Sequence, residues 1–187
     1  ELQRHYARML LTHHNPYTNT EYRYEPAIAT VEIVNENSLL EFWMRNWLRG
    51  ELVPGGPRVQ LDFTPRYAQQ LDAMYQDWLK ARRKPADIAR LRELAGVKAD
   101  EPVPRLRRGD FSIAPTERFQ AEAEFLTDVE KKYFRDKGDY LKKELGVKAL
   151  VIGNADHTYW IPGQPMLRAN SLLDFTDAHV YWQHPAI

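Results

Sequence analysis

Three apolar runs in this chain end in residues able to do acid–base or hydrogen-bond chemistry. The run Ile28 to Val34 is followed by Asn35, Glu36, Asn37 and Ser38. The run Val147 to Gly153 leads into Asn154, Asp156 and His157, and the run from Leu172 ends in Asp177, His179 and Tyr181. A carboxyl that keeps its proton near neutral pH can serve as a general acid. Amide, imidazole and phenol groups beside it can orient a hydroxyl or a second carboxylate. Aromatic residues crowd the same stretches: Tyr159, Trp160 and Trp182, with Tyr17, Tyr22 and Tyr24 ahead of the first run. Flat rings with polar edges suit sugars, whose C–H faces stack while their hydroxyls point outward. The structural use of such rings is to pack a loop onto its own scaffold.

The elements that must position these groups follow from spacing. Leu2, Tyr6, Met9 and Leu10 recur at helical intervals, so a helix covers residues 2 to 11. A polar, aromatic loop follows from His13 to Pro26. Ala27 to Val34 is β-branched and nearly all apolar, which suits a strand buried on both faces, with Glu32 as an interruption that needs a partner. Ser38 to Leu48 predicts a short helix. Thr64-Pro65 sets an N-cap residue before proline, and Tyr67, Leu71, Met74, Tyr75, Trp78 and Leu79 predict an amphipathic helix behind it. Pro85 opens another helix, closed by Gly96. Arg105, Arg107 and Arg108, with Lys98, predict a solvated loop. A long helix runs from Thr116 to Leu145 with Gly146 as its cap, Val147 to Gly153 forms a second strand, Asp156 to Leu167 an aromatic loop, and Leu172 to Tyr181 a third strand. Apolar strands alternating with helices argue for parallel βα units, whose carboxyl ends open on one face.

Composition removes several classes of function. Hydrophobic residues at 43% and charged residues at 28% describe a chain that can bury a core rather than a disordered one. Lys+Arg and Asp+Glu both number 26, so no basic excess draws phosphate, and no nucleic-acid partner is expected. No apolar run approaches the ~20 residues that span a membrane. No glycine-rich turn follows any strand, which leaves nucleotide binding without support. The chain has no cysteine, and its six histidines lack His-x-His or His-Glu-x-x-His spacing, so neither a metal nor another cofactor is expected.

The residues Val31-Glu32-Ile33-Val34-Asn35-Glu36-Asn37-Ser38 resemble the strand-four signature of clan A glycoside hydrolases, especially the family 5-like cellulases. His179-Val180-Tyr181 is similar to the His-x-Tyr with which those enzymes end strand six. The stretches His13 to Thr18 and Leu145 to Leu150 also resemble segments of cellulase-like members. The resemblance runs in order over most of the chain apart from residues 51 to 115. It implies an α/β fold, a partial (β/α)8 TIM barrel covering about strands 4 to 6, with 51–115 as a helical excursion between strands 4 and 5. Residues 1–187 would be a single segment, the N- and C-terminal parts of the barrel lying outside it.

By the same resemblance Glu36 is the general acid/base of a retaining mechanism on a β-linked poly- or oligosaccharide, and Asn35 holds the sugar 2-hydroxyl. Tyr181 contacts the nucleophile carboxylate, His179 joins its hydrogen-bond network, and Trp160 and Trp182 face the carbohydrate. The partners implied are the carbohydrate substrate and the remainder of the barrel polypeptide, and the location implied is secreted or periplasmic. The family takes its nucleophile from a Glu on strand seven, so here it is expected outside the chain, which alone should not turn over a glycoside. Asp156, Asp174 and Asp177 are the substitutes by position, but a retaining pair must stand about 5–5.5 Å apart. The alternative is a non-catalytic carbohydrate-binding or interaction module with a barrel-derived fold.

Overall fold

The computed structural model describes residues 1–50, 64–155 and 163–177. The chain divides into two compact units, one formed by Glu1–Ser38 with Thr127–Ile187 and the other by Leu39–Leu126.

In the first unit, helix α1 (Leu2–Leu11) turns Ala7 and Leu11 toward a core of Tyr140, Leu141, Leu145, Val147 and Val151. The segment expected as plain loop carries a small antiparallel pair, β1 (His14–Asn15) and β2 (Thr20–Glu21). Two asparagines make that hairpin. The Asn15 side chain accepts the Tyr17 N–H at 3.0 Å, and Asn19 takes the left-handed backbone, φ 58°, that its short polar side chain tolerates.

Strand β3 (Thr30–Asn35) pairs in parallel with β4 (Leu150–Ala155), with Thr30 opposite Leu150, Val34 opposite Asn154 and Asn35 opposite Ala155. Parallel strands require a long crossover, and everything from α2 to the end of the long helix lies between these two. Val151 and Ile152 are buried, but β3 is only half-buried along Val31 to Val34, less than its apolar run predicts.

The second unit holds α2 (Leu39–Met44), α3 (Pro65–Arg82) and α4 (Pro85–Ala95). Pro65 and Pro85 stand in the first helical position, where the missing N–H costs nothing. Gly96 ends α4 at φ 67°, as a C-terminal glycine should. Ala68, Leu71, Tyr75 and Leu79 are buried, whereas Tyr67 and Met74 of the predicted stripe are exposed. The inner face is therefore centred on the spacing of four. Tyr75 meets Phe125 at 5.1 Å between ring centroids, and Trp43 meets Phe119 at 4.7 Å.

Helix α5 (Thr116–Asp139) contributes to both units and passes into a π-helical turn, Tyr140–Glu144, instead of running regularly to Leu145. Gly146, at φ 70°, reverses the chain, and the Val147 N–H returns to the Leu141 carbonyl at 3.0 Å.

Three expectations change. The solvated reading of the basic stretch fails at Arg105, which is 1% exposed. The aromatic loop ends early, because α6 (Gly163–Asn170) occupies its last residues. Residues 172–177, the start of the third predicted strand, form no strand. The reason lies at Asp174: its backbone N–H donates to the Val151 carbonyl at 3.0 Å, while its carboxylate, and not a strand carbonyl, accepts the Val151 N–H at 2.7 Å.

Candidate active site

The carboxyl ends of β3 and β4 lie side by side, because Asn35 is opposite Ala155 in the ladder. The chain then leaves the sheet through Glu36, whose φ of 45° is left-handed, a conformation that costs a residue with a Cβ about 1–2 kcal/mol. Asn35 is exposed and Glu36 half-buried.

Two buried side chains hold the turn that follows. The Asn154 amide accepts the Asn37 N–H at 3.0 Å and donates to the Asn37 carbonyl at 2.7 Å. Ser38, 2% exposed, donates its hydroxyl to Glu130 Oε1 at 2.8 Å. Behind Asn154, Gly153 leaves room for the Asn170 amide, which a Cβ there would strike. Asn154 and Asn170 are each 5% exposed.

Of the residues singled out in the sequence, Asn35, Glu36, Asn37, Ser38 and Asn154 come together at this end. His179, Tyr181, Trp160 and Trp182, with Asp156 and His157, lie outside the described residues. Asp174 belongs elsewhere. It is bound to the Val151 N–H and to Lys142 Nζ at 2.9 Å, and Val151 is four residues back along β4 from Ala155. That is about 13 Å along the strand, beyond the reach of a retaining pair with Glu36. The Val151 N–H and then Lys142 also hold the Asp174 carboxyl below its ordinary range. Asp177 is exposed.

Glu130 is the site residue that sequence reasoning missed, and a signal for it existed. Arg118, Glu122, Leu126, Glu130, Phe134 and Gly138 recur every four residues on α5, and all six are buried. Three charged residues thus sit in the apolar stripe. Glu122 is one of them: burial pushes its carboxyl up to about 7, against the pull of the Leu106 N–H and of Arg105 and Arg49.

A cavity of about 140 Å³ opens beside the middle of β3, between Leu10, Leu11, Val31, Ile33, Tyr140 and Leu141. Its lining includes neither Asn35 nor Glu36. Among the described residues no three His, Asp or Glu side chains gather as metal ligands, and no helix is long and apolar enough to cross a membrane.

Chemically, the strand ends offer one half-buried carboxyl with an exposed amide beside it, on a turn braced from behind. Such a group can exchange a proton with a bound substrate while the neighbouring amide holds a hydroxyl. Comparison with protein-family models, curated proteins and solved structures finds no match to this chain.

Proposed function

We propose that this chain is the central part of a retaining glycoside hydrolase of the clan A, family 5-like kind, cleaving O-glycosidic bonds of a β-linked poly- or oligosaccharide with Glu36 as general acid/base. One observation carries the reading: Asn35 and Glu36 stand together at the carboxyl end of a parallel strand pair, with Glu36 in a left-handed backbone on a braced turn. Strained conformations held by their surroundings concentrate at functional sites.

In the first step the Glu36 carboxyl gives its proton to the glycosidic oxygen as the bond to the anomeric carbon breaks. A carboxylate outside the described residues attacks that carbon from the other side. In the second step Glu36, now ionised, takes a proton from water, whose oxygen displaces that carboxylate. Asn35 donates to the 2-hydroxyl throughout. His179 and Tyr181 would set the nucleophile, and Trp160 and Trp182 would stack on sugar rings. The commitment of Asp174 to Val151 and Lys142 favours one second reading, a non-catalytic carbohydrate-binding or interaction module, since it removes one substitute nucleophile.

Glu36→Gln in the complete polypeptide separates the two. The hydrolase reading expects hydrolysis of an unactivated β-glycan to fall by roughly 10²–10⁴-fold. An aryl glycoside with an acidic phenol should keep its first step, because that leaving group departs without a proton. Full activity of the Gln variant on the glycan sinks the assignment. Glycan binding without turnover by the unmodified polypeptide supports the binding module instead.

A further inference from the structure

The left-handed turn at Glu36 has a specific support. Asn154 stands opposite Val34 in the ladder, yet its side chain reaches three residues further, to both backbone polar groups of Asn37. It thereby does for Asn37 what a neighbouring strand's peptide unit does inside a sheet, at a point where β3 has already left the sheet. The amide has little freedom to do anything else. It is 5% exposed, and the residue before it, Gly153, has the Asn170 side chain packed directly on its Cα.

We propose that Asn154 is a positioning residue for the Glu36 carboxyl: by gripping the N–H and carbonyl of Asn37 it holds the turn that aims that carboxyl at the glycosidic oxygen. This role rests on the reading of Glu36 as acid/base. Fixing Asn37 on both sides fixes the peptide that follows Glu36, and with it the direction of the Glu36 Cα–Cβ bond. Proton transfer demands hydrogen-bond geometry, and a displacement of about 1 Å can cost on the order of 10²-fold in rate. Loss of the grip therefore weakens the first step in proportion to how much the leaving group needs a proton. A general loosening of the fold makes no such distinction.

The test uses the complete polypeptide and its Asn154→Ala, Asn154→Asp and Glu36→Gln variants. The substrates are dinitrophenyl and phenyl β-glycosides of cellobiose, mannobiose and xylobiose. Asn154→Asp fills the same volume and keeps the acceptor for the Asn37 N–H, while losing the donor to its carbonyl, so it carries the test if the Ala variant fails to fold. The expected result is a fall in kcat/KM, which reports the first step, of roughly 10–100-fold on the phenyl glycoside. On the dinitrophenyl glycoside the fall should be much smaller, and hydrogen exchange at the Asn37 amide should be faster. Equal losses on the two substrates, or an unchanged Asn37 amide, overturn the positioning role. A Glu36→Gln loss without any Asn154 effect overturns it while the acid/base reading survives. Glu36→Gln with undiminished turnover of the phenyl glycoside, or no turnover of any of the six by the unmodified polypeptide, overturns the acid/base reading and this role with it.

Discussion

A guanidinium without solvent needs acceptors for its donors, and among the described residues of unit Leu39–Leu126 Arg105 finds them for Nε and Nη2 but not for the buried Nη1. Its Nε donates to Asp72 Oδ1 at 2.7 Å and its Nη2 to the Leu48 carbonyl at 2.7 Å. Asp72 is partly exposed, so solvent screens the ionic contribution, and the carbonyl contact decides the cost of losing the residue. Arg105→Met should therefore destabilise by about 2–3 kcal/mol, because the Leu48 carbonyl stays buried without a donor. Arg105→Lys should recover only part, since a point charge cannot serve both acceptors as a fork does. Denaturant unfolding with an unchanged slope measures both; a Met variant as stable as the parent would show that the buried fork is dispensable. In the sequence Arg105 is indistinguishable from its neighbours in a basic loop. Asn35-Glu36 was legible there because a carboxyl after an apolar run is locally unusual.

Helix ends were the most readable elements, because proline and glycine act through their own backbone: Pro65, Pro85, Gly96 and Gly146 all sit where their chemistry predicts. Two other glycines have their reasons in partners distant in sequence. Gly153 lies under the buried Asn170 amide, while the Cβ of a residue at position 138 would meet only the end of the Leu173 side chain. Gly153→Ala should cost about 1–3 kcal/mol, since the buried Asn170 amide must move. Gly138→Ala should be close to neutral, because Leu173 can yield and alanine gains about 1 kcal/mol of helix propensity over glycine. Paired thermal melts test the contrast, and equal losses would contradict it. The same long-range dependence explains the third predicted strand. Its apolar composition is real, but the Asp174 carboxylate takes the β4 N–H that a strand backbone would have taken.

Across the whole molecule the two units should respond to pH in opposite directions. In the second unit Glu122, 1% exposed, has its carboxyl raised from 4.5 to about 7 by burial. A raised carboxyl contributes stability that is complete below about 4.5 and lost as pH climbs through 7, in all about 3 kcal/mol. In the first unit Asp174 is held below its ordinary 3.8, so its contribution is present above that value and lost as pH falls further. Native-state hydrogen exchange, corrected for intrinsic rates, should show protection of Leu71, Tyr75 and Leu79 weakening between pH 5 and 7.5. Protection of Val147 and Val151 should show no such loss from Asp174 over that range. Glu122→Gln should flatten the first trend and leave the second alone. Parallel curves for parent and variant would mean that Glu122 ionises normally.

The sequence by itself determined what depends on neighbours in the chain: the proline starts of α3 and α4, the glycine stops at Gly96 and Gly146, the two apolar strands, and the Asn35-Glu36 pair at the end of one of them. Periodicity and backbone chemistry are local, so they survive without coordinates. Only the tertiary structure decided which polar groups are answered from afar. Asn154 grips Asn37 across 117 positions, Glu130 takes the Ser38 hydroxyl across 92, and Arg105 reaches Leu48 across 57. A buried donor must find an acceptor somewhere in the folded chain, and the separation at which it does so leaves no local trace.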